Sequence, residues 1–160
     1  MLRLKKINRE NVWDILKLEV SDDQKSFVAT NGISIIEAYT AITENGYAFP
    51  FAIYEDDIPV GFLMIGYDAD DYWEDAPKIA KGNYNLWRLM IDKNYQGKGL
   101  GKEAVRLALD FINTFPCGIG EYCWLSYEAE NDIARQLYSS FGFVETGEKD
   151  GEELIAVLKL

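Results

Sequence analysis

The chain reads as one α/β domain of the α+β kind spanning residues 1–160, with about seven strands and four helices in the order β-α-α-β-β-β-α-β-α-β-β. Three observations predict this. Short β-rich runs alternate with stretches of helical periodicity, so neither an all-helical nor an all-strand core fits. The composition, 48% hydrophobic and 14% aromatic over 160 residues, fills one core, and no linker, repeat or low-complexity stretch divides it. A glycine-rich stretch, Tyr95-Gln96-Gly97-Lys98-Gly99-Leu100-Gly101-Lys102, separates an apolar run at 86–91 from a helical pattern at 100–112, the layout of strand, turn and helix.

Taken in order, residues 2–7 alternate apolar and basic side chains, as a short edge strand does. Asn8 can cap the helix that follows, whose apolar positions Val12, Ile15, Leu16 and Leu18 fit helical spacing. Ser34-Ile35-Ile36-Glu37 reads as a capping box for a second helix with Ile35, Ala38, Tyr39 and Ile42 on one face, ending at Asn45-Gly46. Residues 47–54 and 59–67 form a hairpin pattern around Glu55-Asp56-Asp57-Ile58. Residues 68–83 turn acidic and aromatic and read as a long loop or short helix. A strand at 84–92 enters the glycine turn, and the helix behind it presents Leu100, Ala104, Leu107, Ala108, Phe111 and Ile112 on one face. A strand at 121–127, a helix at 130–141 stopped by Gly142, and strands at 143–148 and 152–160 around Asp150-Gly151 complete the chain.

Composition excludes several chemistries. The chain has no histidine, which removes hydrolases that use imidazole as base; any acid or base must be Glu, Asp, Tyr, Lys, Cys or water. Cys117 and Cys123 alone support neither a disulfide framework nor a zinc site, so no metal is expected. No signal-like or membrane-spanning run is present, so a cytoplasmic location without membrane association is expected. The net charge of −11 argues against nucleic acid and favours cationic partners, although solubility alone also explains it. Between Arg88 and Arg106 five basic residues face two acidic ones, a local +3 that leaves −14 for the remainder.

The glycine stretch is an anion-binding candidate. Glycines let the backbone turn sharply and aim successive N–H groups together at the positive end of a helix, where phosphate binds. An ordinary strand-to-helix turn would look similar. The spacing is not that of a Walker loop, because Glu103 follows Lys102 where Ser or Thr is required. It also fails the dinucleotide fingerprint, since Lys102 stands where the third glycine belongs.

What the spacing does match is Gln96-x-x-Gly99-x-Gly101, which resembles the acyl-CoA pyrophosphate loop of the GNAT superfamily of N-acetyltransferases. A second segment, Asn131-Asp132-Ile133-Ala134-Arg135-Gln136-Leu137-Tyr138-Ser139-Ser140-Phe141-Gly142-Phe143, resembles that family's Asn-x-x-Ala-x-x-x-Tyr-x-x-x-Gly-Phe stretch. With the element order, the resemblance covers nearly the whole chain. It implies the GNAT fold, a central mixed, mostly antiparallel sheet, with acetyl-CoA as cosubstrate and direct transfer to an amine in a ternary complex. It also implies that the backbone of Leu89, Met90 and Ile91 pairs with pantetheine, that Gln96, Gly97, Lys98, Gly99, Leu100, Gly101 and Lys102 close over the pyrophosphate, and that Asn131, beside Ala134, contacts the pantetheine arm. Asn131 is equally a plain helix cap. Tyr138 resembles the residue that protonates the departing thiolate; a core tyrosine would have the same spacing.

The chain is similar to the bacterial spermine/spermidine acetyltransferases at Leu18-Glu19-Val20-Ser21-x-x-Gln24-x-x-Phe27-Val28, at Val60-Gly61-Phe62-Leu63-Met64-Ile65-Gly66-Tyr67 and at Leu125-Ser126. That points to a small-molecule amine, a polyamine, as acceptor, and to a homodimer as one assembly the family adopts. The chain departs from those relatives at Trp87-Arg88, where they often carry an acidic residue, so the proton acceptor is sought elsewhere. The candidates are Glu128, beyond the strand that flanks the cleft, and Glu19 or Glu37 on the two early helices; Asp70, Asp71, Glu74 and Asp75 could hold the far end of a long amine. Each is otherwise a solvated charge. Trp87 and Trp73 could stack on a cation or fill the core. Alternatives are another amine acceptor (an aminoglycoside, an amino-acid derivative, a protein N-terminus), an acyl-CoA-binding regulatory module without turnover, or an interaction domain.

Overall fold

The computed structural model of the chain describes residues 1–69 and 75–160. Seven strands form one sheet: β1 (Leu2–Lys6), β2 (Tyr47–Glu55), β3 (Ile58–Tyr67), β4 (Tyr84–Ile91), β5 (Tyr122–Tyr127), β6 (Val144–Asp150) and β7 (Glu153–Lys159), in spatial order β1-β2-β3-β4-β5-β7-β6. Every neighbouring pair is antiparallel except β4 and β5, the parallel pair joined by the crossover through helix α3 (Leu100–Ile112). The mixed α+β architecture expected from the sequence is therefore present, with helices α1 (Val12–Lys17), α2 (Asn31–Thr43) and α4 (Asp132–Ser139) completing the set of four.

The two faces of the sheet carry separate cores. On one, α3 lays Leu100, Ala104, Val105, Ala108 and Ile112 against Leu63, Ile65, Leu86 and Leu125. Its small residues let the helix approach the strands closely, while Phe111 meets Phe49 and Phe51 edge-on at 5.2 and 5.1 Å. On the other face α1 and α2 cover Ala52, Phe62, Met64 and Met90. Farther along that face, the segment after β3 covers Trp124 and Ile155. A single Leu or Ile deleted from either core would cost about 2–5 kcal/mol.

Local sequence accounts for most boundaries. The N-cap position of α1 is Asn11 and not the expected Asn8; Asn8 closes the turn just before it, its Oδ1 accepting from Asn11 N at 3.1 Å while Asn11 Oδ1 accepts from Asn8 N at 2.9 Å, a reciprocal pair that leads into α1. Asn45, at φ 64°, ends α2, and Gly46 N donates to Ala41 O at 2.7 Å. The start of α2 differs from the expected capping box. Thr30 is the cap, its Oγ1 accepting from Ile33 N at 3.2 Å, and Ser34 is buried inside the helix. The cause is tertiary: buried Asn31 donates from Nδ2 to Ile15 O at 2.9 Å, which ties the first turn of α2 to the end of α1. The buried face is accordingly Asn31, Ser34, Ala38 and Ala41, and Tyr39 and Ile42, expected on the core face, are exposed. The acidic aromatic segment contains a 3-10 turn at Lys78–Ala80. Among the described residues no helix is long and apolar enough to cross a membrane.

Candidate active site

The site originates in a failure of two strands to stay together. β4 and β5 pair only through Tyr84 with Cys123 and Asn85 with Trp124, after which they diverge. On its other edge β4 follows β3 as far as Gly61 opposite Ile91, but the register steps from Leu86 to Arg88 and makes Trp87 a bulged residue. A bulge bends its strand, here within the stretch where β4 leaves β5. The backbone of Leu86 to Ile91 thus faces a cleft of about 1160 Å³ instead of another strand. Gly61 holds β3 close to β4 there: a Cβ at this position would stand 2.4 Å from Met90 O.

At one end of the cleft stands the glycine loop. Gly97 and Gly99 both have φ 79°, the left-handed region that glycine enters without penalty, and Gly99 is the N-cap of the 13-residue α3. Among the described residues the N–H groups of residues 96–102 donate to no backbone carbonyl in a turn or loop. A Cβ at Gly97 or Gly99 would meet nothing within 4 Å, so the loop is not packed against other parts of the chain at these two positions, and both line the cleft. Backbone N–H groups at the positive end of a helix, in a loop that lines the cleft with Lys102, fit a pyrophosphate.

The loop is held from behind. Gln96 donates from Nε2 to Ile91 O at 2.9 Å and to Gln24 Oε1 at 2.8 Å, so its side chain anchors the turn and its backbone is the part left for a ligand. Lys98 lies 5.5 Å from the Tyr95 ring and does not line the cleft. A residue that sequence reasoning missed, buried Asp92, accepts from Asn94 N, Asn94 Nδ2 and Glu19 N, each at 3.0 Å. It clamps the start of the loop to the chain leaving α1.

Helix α4 forms the wall across from β4. Asn131 caps it, Oδ1 accepting from Ala134 N at 3.2 Å, and both residues line the cleft, so the cap role expected for Asn131 is present. Tyr138 also lines the cleft, its ring parallel to Tyr127 at 6.1 Å and edge-on to Phe143 at 5.8 Å. Its hydroxyl makes no hydrogen bond among the described residues. Burial pushes the phenol pKa well above its ordinary value, so Tyr138 carries its proton across the physiological range.

The other end of the cleft is acidic. Glu128 follows β5 and forms no ion pair among the described residues, whereas Glu37 is held by Arg88 Nη2 at 2.9 Å. Trp87 lines the same wall, with the Arg88 guanidinium 5.9 Å from its ring. Glu19 does not line the cleft: Lys93 at 2.6 Å and Lys25, itself a lining residue, at 3.7 Å pair with it, and the hydrogen bond from Lys93 holds its carboxyl below the usual range. Asp70, Asp71, Trp73 and Glu74 lie outside the described residues, and Asp75 is exposed. Two further carboxylates reach the cleft from the β6–β7 hairpin, Asp150 and its register partner Glu153. Burial raises the pKa of both, and Glu153 is raised further by the charge of Asp150. No short-range signal marks them; only the pairing of β5 with β7, Tyr127 opposite Leu154, brings Glu153 beside Glu128.

Comparison with known proteins agrees with this geometry. Residues 9–143 match the model of the "Acetyltransferase (GNAT) family". The chain is 32% identical over 161 residues to a "Probable spermine N(1)-acetyltransferase" of Bacillus subtilis subsp. natto (strain BEST195), covering 96% of each protein. It is 31% identical, with the same coverage, to a "Spermine/spermidine N(1)-acetyltransferase" of Bacillus subtilis (strain 168). Among solved structures, an aminoglycoside acetyltransferase AAC(6')-Ib in complex with coenzyme A superimposes with a TM-score of 0.76 at 15% identity, over 99% of this chain and 95% of that one, a likeness of fold. Strands that part beside a glycine loop, on a chain matched over 135 residues by one family model, have a single reading: the protein belongs to the GNAT family and is an N-acetyltransferase.

Proposed function

We propose that the protein moves an acetyl group from acetyl-CoA to a primary amine of a polyamine, by direct transfer while both substrates occupy the cleft. The observation that carries this reading is the polarity of the cleft. A cationic, N–H-rich loop stands at one end, and at the other stand Glu128, Asp150 and Glu153, which form no salt bridge among the described residues. The names of the Bacillus relatives support the same acceptor class.

Each part then has a task. When bound, acetyl-CoA supplies an activated acetyl thioester. The loop at residues 96–102 holds the pyrophosphate, and the open edge of Leu89, Met90 and Ile91 takes the amide-rich arm as an added strand would. Tyr138, protonated and with no competing hydrogen bond among the described residues, gives its proton to the leaving sulfur. Glu128, at the acidic end, attracts the ammonium and holds it beside the thioester. The remaining ammonium groups of a long polyamine extend along the acidic wall.

The test is release of free thiol from acetyl-CoA with a panel of amines: spermine, spermidine, an aminoglycoside, a short peptide and free amino acids. Polyamines should give the highest kcat/KM. Preference for the peptide or the aminoglycoside would replace the acceptor assignment. Binding of acetyl-CoA without release by any amine would replace catalysis with a regulatory role.

A further inference from the structure

Resting on the polyamine reading, we propose that Glu153 is the carboxylate that receives the proton of the acceptor ammonium, with Glu128 and Asp150 as the anions that hold that ammonium in place. Neither Asp150 nor Glu153 is suggested by any local pattern; both are placed by strand pairing.

The geometry separates the candidates. Glu37 is neutralised by Arg88 at 2.9 Å, and Glu19 by Lys93 at 2.6 Å. Glu128 lies one residue past the end of β5, and Asp150 at the last residue of β6. Glu153 stands between them. Asp150 is its register partner on one side, and the β5 register, ending Tyr127 opposite Leu154, sets Glu128 across from it on the other. Ser126, Glu128 and Glu153 all line the cleft, so the three lie on the same side of the sheet. A strand position braced on both sides holds a reacting group more accurately than a loop does.

The electrostatics assign the roles. The charged groups that face Glu153 are Asp150 from β6, Glu128 beyond β5 and Arg88 from β4; the first two oppose its ionisation and Arg88 favours it. Together with burial, the like charges make Glu153 a stronger base than an ordinary carboxylate, closer to the pH at which the enzyme works. Asp150 and Glu128, one on each side of Glu153, are the carboxylates that keep the substrate attached through the transfer.

The step balances as follows. One N–H bond of the ammonium breaks and its proton goes to a Glu153 oxygen. The freed electron pair forms the N–C bond to the acetyl carbon, and the C–S bond breaks with its electrons on sulfur. Tyr138 delivers its proton to that sulfur, and the tyrosinate recovers one from the new amide nitrogen. Glu153 returns its proton to water, so the net products are the amide, the free thiol and one proton.

The experiment compares wild type with Glu153→Gln, Glu153→Asp and Glu128→Gln, measuring kcat, KM and the pH profile with spermidine. A second acceptor is trifluoroethylamine, which is largely neutral at the assay pH and needs no base. Glu153→Gln should lower kcat with spermidine about 100-fold or more and remove the acid-side limb of the profile, with a loss at least about tenfold smaller for trifluoroethylamine. Glu153→Asp should keep the limb at reduced kcat, and Glu128→Gln should act mainly on KM. Acetyl-CoA affinity within about threefold of wild type shows that each variant is folded around its cofactor loop. A Glu153→Gln enzyme with kcat within about fivefold of wild type, or with equal losses for both amines, overturns the assignment. Wild type that acetylates an amine other than a polyamine changes the acceptor, and the same comparison is made with that amine. Wild type that acetylates none removes the functional reading and this inference together, a result distinct from an active wild type with an unaffected variant.

Discussion

Replacing Tyr138 by Phe removes one oxygen and nothing else from the cleft wall, and the structure fixes what should follow. The ring contacts with Tyr127 and Phe143 are made by carbon and are retained. The neighbouring network, in which Tyr127 Oη donates to Glu145 and Glu145 is paired with Arg135, does not include Tyr138. The hydroxyl has no hydrogen-bond partner among the described residues, so its loss costs no bond in the free protein. Deleting such a group should leave stability unchanged or raise it by up to about 1 kcal/mol, a Tm shift of about +0 to +4 °C for a chain of this size. Acetyl-CoA affinity should stay within about threefold, because the loop and the β4 edge are untouched. Turnover should fall by about 100- to 10,000-fold, the usual range for a lost general acid. Because burial holds this phenol above its ordinary pKa, the wild-type profile should show no limb from it over roughly pH 6–9. Steady-state kinetics, equilibrium titration with acetyl-CoA and a melting curve give the three readouts. A Phe variant with kcat within about threefold of wild type, or one whose Tm drops by several degrees, refutes the role assigned to the hydroxyl.

Three further outcomes follow from the same structure. Gly61→Ala forces a Cβ to within 2.4 Å of Met90 O in the strand that floors the cleft; it should cost about 1–3 kcal/mol, seen as a Tm fall of about 3–10 °C, and lower kcat as β4 shifts. Arg88→Gln removes the cation that neutralises Glu37 and should lower KM for spermidine about fivefold, the equivalent of about 1 kcal/mol, as read from initial rates. Asp150 and Glu153 have carboxyl pKa values raised on folding, so the folded protein holds their protons to higher pH than the unfolded chain does. Their contribution to stability is therefore full below the unfolded carboxylate range and is lost as pH rises through the folded values; Glu153→Gln should flatten that part of the curve of Tm against pH.

The parts of the site that lie close together in sequence were legible in it. The turn at residues 95–102 announces itself because glycine at positive φ and an amphipathic helix must be adjacent, and the segment from Asn131 to Phe143 carries cap, helix and stop in one stretch. The element order was legible for the same reason. What escaped depends on contacts between distant segments. Thr30 rather than Ser34 caps α2 because Asn31 bonds to a carbonyl 16 residues away. Glu19 leaves the candidate site because Lys93 is 74 residues distant in sequence and adjacent in space. Glu37, a free acid on paper, is committed to Arg88. Asp150 and Glu153 join Glu128 only through the strand order β5-β7-β6, which no periodicity encodes.

The central claim is tested most directly by incubating the protein with acetyl-CoA and spermidine and weighing every component by mass spectrometry. The account predicts spermidine heavier by one acetyl group, an equal quantity of free CoA, and a protein of unchanged mass when acetyl-CoA is supplied alone. An acetylated protein that passes its acetyl group to a later-added amine would contradict direct transfer, and unmodified spermidine beside acetylation of a different amine would contradict the acceptor.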